Sequence, residues 1–439
     1  MPLRIYKKIG SYNKNITIDG DKSLSIRWAL LASQAIGKSK AYKLLKSEDV
    51  LNTLSCLKKL GVKIKMNKNY CEIEGRGLNG YNYRDNLTLD AGNSGTLGRL
   101  LLGLLIHSKK KIKLVGDKSL SKRDFSRVTE PLKKFGARFE RNKLPLSILG
   151  VENPTPINYL ENKGSAQCKS SVMLAALNTD GETLIKAKKS RNHTELLFQY
   201  LKIPIKIKKI KNFDLIKVRG KKTFQSFNYK IPSDISSSAF FIVLTALSKS
   251  SKLVIKNVNI NPTRIGVLRI LKNMGVKILL KNKKKYKGED VADISVVSAK
   301  NLKAINCSSK LNSSAIDEFL IIFLVAAKSK GISYFKNLSE LNEKESPRLN
   351  WGSKILNMMG VKTELTKDSI KIYGQPDLKI IKPIIIKNYL KDHRVFMMST
   401  IAALTCGGQW EIHNKNSINT SFPSFLKIIK TINNKSLLN

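Results

Sequence analysis

Residues 57–64, LKKLGVKI, return with small changes as 132–139, LKKFGARF, as 271–278, LKNMGVKI, and as 356–363, LNMMGVKT. In each copy an amphipathic helix runs out in a glycine and a strand begins, because glycine takes the left-handed conformation that ends a helix without steric cost. Fainter copies lie at 197–207 and 425–432, so the repeat spacing is roughly 65 to 85 residues and about six units fill the chain. The pattern predicts an α/β body assembled from copies of one βα unit.

At 439 residues the chain exceeds what one core usually supports, which predicts two domains of about 200 residues each. The longest apolar run, 319–327, is far short of the ~18 residues a membrane helix needs, and residues 1–8 lack the apolar core of a signal peptide. A soluble, cytoplasmic protein with no membrane partner is expected. Cys56, Cys71, Cys168, Cys307 and Cys406 are scattered, odd in number and free of metal-type spacing, so neither disulfides nor a bound metal is expected.

A net charge of +48 raises nucleic-acid binding as a first idea. Of the 80 basic residues, however, 65 are Lys and 15 are Arg, the profile of a solvated lysine coat rather than of a reading head. The same bias sharpens the arginines. Where lysine would serve, this chain carries lysine, so a retained arginine points to a need for a planar two-pronged donor.

Those arginines fall among polar clusters that open helices. Residues 20–27, GDKSLSIR, lead an apolar helix to about Ala35. Asn93, Ser94, Gly95 and Thr96 precede a helix expected over 97–106, with Arg99 in its first turn. Ser165, Ala166 and Gln167 open a helix ending near Leu177, and Asp317 with Glu318 head the run 319–327. Ser346 reads as an N-cap with Pro347 at the first helical position, and Lys391, Asp392, His393 and Arg394 lead a helix to about Leu404. Each cluster alone reads as an ordinary cap, and His107, His193 and His413 read as structural. Capping does not call for Lys22, Arg27, Arg99, Arg123, Arg191, Lys344, Arg348 and Arg394 beside the same ends. The first turn of a helix exposes unpaired N–H donors and the positive end of the dipole. Several such ends with added cations predict a site for more than one anionic group, best satisfied by a pair of phosphate-bearing metabolites.

In order and spacing, GDKSLSIR (20–27), GNSGTLGR (92–99), SAQCKS (165–170), NPTRIG (261–266), KESPR (344–348) and DHR (392–394) resemble the 5-enolpyruvylshikimate-3-phosphate synthases (3-phosphoshikimate 1-carboxyvinyltransferases) over about 16–425. SAQ at 165–167 and RNHTE at 191–195 resemble the class II branch. The resemblance implies two similar domains, each built from three βαβαββ-type repeats in an inverse α/β barrel-like fold, with the ligand cleft between them. The central domain would span 21–231 and the second 1–20 plus 232–439, hinged near 20 and 232. The implied reaction moves the enolpyruvyl group of phosphoenolpyruvate to the 5-hydroxyl of shikimate 3-phosphate and releases phosphate, without cofactor or metal, in a monomer.

By the same resemblance, Lys22, Ser23, Arg27, Ser165, Ala166, Gln167, Arg191, Asp317 and Lys344 would bind shikimate 3-phosphate. Lys22, Asn93, Gly95, Arg123, Gln167, Arg348, His393 and Arg394 would bind phosphoenolpyruvate. Asp317 is the implied base for the 5-hydroxyl, Glu345 with Lys22 the proton donor and later acceptor at the methylene carbon, and Lys344 would steady the intermediate's charge. The chain departs from the family pattern at Asp19, Ile26, Asn342, Pro347 and Thr420, the last standing where many class I members carry a lysine for phosphoenolpyruvate. Gly95 implies room for glyphosate. Two alternatives remain: the sister transferase acting on UDP-N-acetylglucosamine, which typically carries Lys-Asn where this chain has Lys22 and Ser23 and uses a loop cysteine, and a non-enzymatic nucleic-acid binder. Turnover and salt-dependent nucleic-acid binding separate them.

Overall fold

The computed structural model describes residues 1–432. The chain divides into two compact units. One comprises Gly20–Ile231 with the short segment Tyr286–Glu289, and the other comprises Met1–Asp19, Pro232–Lys285 and the described residues from Asp290 to 432.

Among the described residues each unit holds three small sheets. One repeat shows how they are built. Strand Leu87–Asp90, helix Gly95–Leu104, strand Ile112–Val115, helix Ser126–Lys134 and strands Arg138–Phe139 and Leu146–Leu149 follow one another, which is a βαβαββ unit. The first two strands pair in parallel and the remainder antiparallel, so the last strand lies inside the sheet. Strands Asn158–Glu161, Glu182–Lys188, Phe213–Arg219 and Ile205–Ile210 repeat that arrangement. The remaining sheet of this unit takes its opening strand from elsewhere in the chain: Tyr229–Lys230 lies parallel to Lys38–Tyr42, while Asn13–Thr17 lies parallel to Lys252–Asn259 in the other unit. The opening strands are thus exchanged where the chain passes Gly20 and Pro232. At Gly20 a Cβ would sit 2.2 Å from the Lys43 carbonyl, so that passage admits only glycine.

The repeated signature has the structural meaning its sequence predicts. Gly61, Gly136, Gly275 and Gly360 have φ of +85°, +108°, +96° and +87°, each just past the end of a helix. In the fainter copy at 197–207, Lys202 occupies the left-handed position at φ +57°, which is why no glycine marks it.

In each unit the first helix of every repeat is buried on nearly all faces: Lys22–Gln34, Gly95–Leu104 and Ala166–Leu177 in one, and Ile235–Leu247, Phe319–Ala327 and His393–Cys406 in the other. A helix apolar all round belongs in a core. These helices pack together, with Gly103 lying so near the Ser171 carbonyl that a Cβ would approach it to 2.1 Å. The second helices Glu48–Lys59, Ser126–Lys134 and Gly266–Asn273 are amphipathic, each with one buried face. Each unit therefore has its own hydrophobic core, helices inside and sheets outside, the expected inverse barrel arrangement. All five cysteines are buried and free, and no helix among the described residues is long and apolar enough to cross a membrane.

Two local expectations are corrected. The helix expected over 97–106 begins at Gly95, because the Ser94 hydroxyl accepts the Leu97 N–H, and it tightens into a 3-10 turn at Leu105–His107; Arg99 is consequently in its second turn. Ser346 is not the N-cap of its helix. Its hydroxyl donates to Asp392, Pro347 stands at the cap of the helix Arg348–Met358, and the Asn342 side chain accepts the Leu349 N–H.

Candidate active site

In the unit Gly20–Ile231 the polar helix starts of the three buried helices meet. Asp21, Ser94 and Ser165 cap them, accepting the N–H groups of Leu24, Leu97 and Cys168. Gln167 joins two of the ends, accepting from Arg99 at 2.8 Å and donating to Thr96 at 3.0 Å. Arg123 follows a short 3-10 turn and reaches the same place: a Cβ at Gly95 would lie 2.8 Å from Arg99 Nη1 and 3.0 Å from Arg123 Nη1. Arg27 links the first and third helices, its Nε donating to Thr194 at 2.9 Å, Nη2 to Ser170 at 3.1 Å and Nη1 to the Ser23 carbonyl at 3.2 Å. Lys22 donates to Asp49 at 2.9 Å, and Asn93 donates to Asp117 at 2.6 Å. Ala166 is the first residue of its helix, and Arg191 precedes the helix His193–Tyr200. Three helix ends with Arg27, Arg99, Arg123 and Gln167 among them make a strongly electropositive cluster suited to oxyanions.

The other unit carries an acid–base cluster organised by one guanidinium. Arg348, only 2% exposed, donates from Nε to Asp392 Oδ2 at 2.8 Å and from Nη2 to Asp392 Oδ1 at 3.2 Å, in the two-pronged geometry the Lys-rich composition singles out. It also bonds Glu345 and stands 3.6 Å from Asp317, which Lys344 approaches to 3.6 Å as well. Arg394 donates to the Asp317 carbonyl at 2.6 Å and lies 3.8 Å from Glu318, while His393 Nδ1 lies 3.3 Å from the Thr420 hydroxyl. Asp392 caps the helix His393–Cys406 through the Arg394 N–H. Burial opposes both charges of the Arg348–Asp392 pair, yet their mutual attraction prevails: Arg348 is driven above its ordinary value, and Asp392 is held below 3.8. Two carboxylates, Asp317 and Glu345, thus share one cation that fixes their separation.

Of the residues singled out in the sequence, Gly95, Arg123 and Gln167 converge in one unit, as do Ser23 and Arg27. Asp317, Lys344, Glu345, Arg348 and Arg394 converge in the other, with His393 beside them. Sequence reasoning missed several partners. Asp49 orients Lys22, Ser170 and Thr194 hold Arg27, and Asp392 anchors Arg348. It also missed two buried ion pairs, Lys169 with Glu195 at 2.5 Å and His193 with Glu289 at 2.6 Å. Lys169 and Glu195 carried a signal, since charged residues inside SAQCKS and RNHTE otherwise serve no capping purpose; Glu289 carried none.

The architecture recurs in the enolpyruvyl transferase NikO from Streptomyces tendae, with a TM-score of 0.76 over 98% of this chain and 97% of that one, at 13% identity. The fold is therefore that of the enolpyruvyl transferases. A structure of EPSP synthase from Acinetobacter baumannii is similar with a TM-score of 0.86 and 33% identity over 100% of this chain and 99% of its own. The 3-phosphoshikimate 1-carboxyvinyltransferase of Ruthia magnifica is 40% identical over 432 residues, 98% of this chain and 97% of the relative. That of Thermoanaerobacter sp. is 38% identical over 94% of this chain and 96% of the relative. The sequence profile of EPSP synthase (3-phosphoshikimate 1-carboxyvinyltransferase) matches residues 6–429, and the chain belongs to that family.

Proposed function

We propose that the chain transfers the enolpyruvyl group of phosphoenolpyruvate to the 5-hydroxyl of shikimate 3-phosphate and releases phosphate. The observation that carries this reading, beside family membership, is the sharing of Asp317 and Glu345 by Arg348 within one buried network. The chemistry needs two such groups. Asp317 takes the 5-hydroxyl proton as its oxygen bonds C2 of phosphoenolpyruvate, and Glu345 delivers a proton to the methylene carbon. The C2–O bond to phosphate then breaks, and a proton leaves the new methyl group for Glu345, restoring the double bond. Each positioned group contributes roughly 10² to 10⁴ in rate.

Ser165, Gln167 and Arg191 hold the shikimate phosphate and Ser23 and Arg27 its carboxylate side, a reading supported by the bonds that orient Arg27 and Gln167. Lys22, Arg123, Arg348 and Arg394 hold phosphoenolpyruvate. Lys344, 3.6 Å from Asp317, steadies negative charge as it develops. Five free thiols support a reducing, cytoplasmic setting. Phosphate release tests the reading: it must require both metabolites, and release from phosphoenolpyruvate alone, or with UDP-N-acetylglucosamine as acceptor, overturns it.

A further inference from the structure

The strands Ile278–Tyr286 and Glu289–Val297 form a hairpin whose body belongs to one unit, yet its tip, Tyr286–Glu289, belongs with Gly20–Ile231. All four tip residues are engaged there. The Tyr286 hydroxyl accepts the Lys230 N–H at 2.8 Å, and its ring meets Tyr229 edge-on at 5.5 Å. The Lys287 ammonium stands 5.2, 5.9 and 5.6 Å from the rings of Tyr200, Tyr229 and Tyr286 and donates to the Asn228 carbonyl. Gly288, at φ +89°, passes so near the helix His193–Tyr200 that a Cβ would lie 3.1 Å from the Leu196 carbonyl. Glu289 meets His193 Nδ1 at 2.6 Å, with both side chains wholly buried.

His193 is the first residue of that helix, and Arg191 stands two residues before it. The next two residues are pinned as well: Thr194 accepts from Arg27 and shares a 2.7 Å hydrogen bond with Ser170, and Glu195 pairs with Lys169. The start of this helix therefore sets the aim of two arginines. An apolar tip would cover the helix at no desolvation cost, whereas a buried carboxylate is retained only where its directional bond matters or its partner compensates it. An apolar contact would let the helix rotate, and the Glu289–His193 bond does not.

We propose that Glu289 is a positioning residue for shikimate 3-phosphate: through His193 it fixes the first turn of the helix His193–Tyr200, and with it the placement of Arg191 and Arg27. This rests on the functional reading above. Three readouts test it on the full-length protein: phosphate release, the KM of each metabolite, and calorimetric titration of shikimate 3-phosphate alone. Wild-type phosphate release with both metabolites tests the functional reading by itself. Given that turnover, Glu289→Ala is expected to weaken shikimate 3-phosphate roughly tenfold in KM and in calorimetric affinity, the scale of losing one charge-assisted bond behind a binding group. Phosphoenolpyruvate KM and kcat stay within about twofold, and Glu289→Gln, which keeps an acceptor for His193, recovers to within about threefold of wild type. An unchanged shikimate 3-phosphate affinity in Glu289→Ala, or equal weakening of both metabolites with a falling kcat, overturns the proposal. If Glu289→Ala does not fold, Gly288→Ala, which pushes the tip off Leu196, must show the same selective loss; unchanged affinity in it overturns the proposal equally.

Discussion

Replacing Gly95 by alanine probes the electropositive cluster of Arg99 and Arg123 with a single methyl group. The new Cβ would stand 2.8 Å from Arg99 Nη1, 3.0 Å from Arg123 Nη1 and 3.7 Å from Leu120 Cδ1, where ordinary contact begins at 3.4 Å. The Leu120 contact is already comfortable. The two guanidinium tips must withdraw by about 0.6 and 0.4 Å, and Arg99 cannot do so without loosening its 2.8 Å bond to Gln167. The backbone raises no objection, since Gly95 is an ordinary first-turn helical residue and alanine there favours the helix by about 0.5 to 1 kcal/mol. Stability should therefore hold or rise slightly. Because a 1 Å misplacement of a binding group costs up to about 10² in rate, a shift near half that size predicts a phosphoenolpyruvate KM raised about 5- to 10-fold, with kcat within about threefold. Wild type should be inhibited by glyphosate competitively with phosphoenolpyruvate, and the variant should need at least about tenfold more inhibitor, because the methyl takes up space the inhibitor uses. Steady-state kinetics at varied phosphoenolpyruvate, with and without glyphosate, reads both effects. Unchanged KM and unchanged inhibition would show that Gly95 and Arg123 do not border the phosphoenolpyruvate site.

Three further expectations concern the buried charges. Arg348→Met strands Asp392, which is wholly buried, and should cost about 3 to 5 kcal/mol in chemical denaturation; a loss below about 1 kcal/mol would show that Asp392 is otherwise compensated. Glu195→Gln should cost a similar about 3 to 5 kcal/mol by stranding Lys169, whereas Lys169→Met with Glu195→Leu should return close to wild type, so an additive double variant contradicts the pairing. Burial lowers His107 from 6.5 to about 4, against weaker opposing hydrogen bonds that the ring donates to the backbone of Asn178 and Glu152. The unfolded chain then binds the extra proton first, so stability is full above pH 6.5 and falls as the pH drops toward 4, by on the order of 2 to 3 kcal/mol. Thermal unfolding at pH 7 and pH 5 should show that loss shrinking in His107→Gln, and an identical loss in the variant would assign it to other groups.

The sequence discloses most of the fold because its four clearest repeat junctions are written in glycine, the residue a left-handed helix end demands at Gly61, Gly136, Gly275 and Gly360. Where Lys202 adopts that conformation, the repeat fades from the sequence without fading from the fold. The polar helix starts were equally legible, since capping chemistry is local. The misreading at Ser346 has a cause that no local pattern contains: a cap-like hydroxyl is drawn to Asp392, 46 positions away, Pro347 stands at the cap, and the Asn342 side chain accepts the Leu349 N–H. Partners brought together by folding were beyond local reasoning for the same reason. Arg99 with Gln167 spans 68 positions and His193 with Glu289 spans 96, and neither separation leaves a periodic trace.

The most direct test of the account follows phosphate release by the purified protein given phosphoenolpyruvate and shikimate 3-phosphate, together and singly, alongside Asp317→Ala and Glu345→Ala. The account predicts release only when both metabolites are present, and a fall of about 10² to 10⁴ in kcat for each variant. Release from either metabolite alone, or full turnover in either variant, would contradict it.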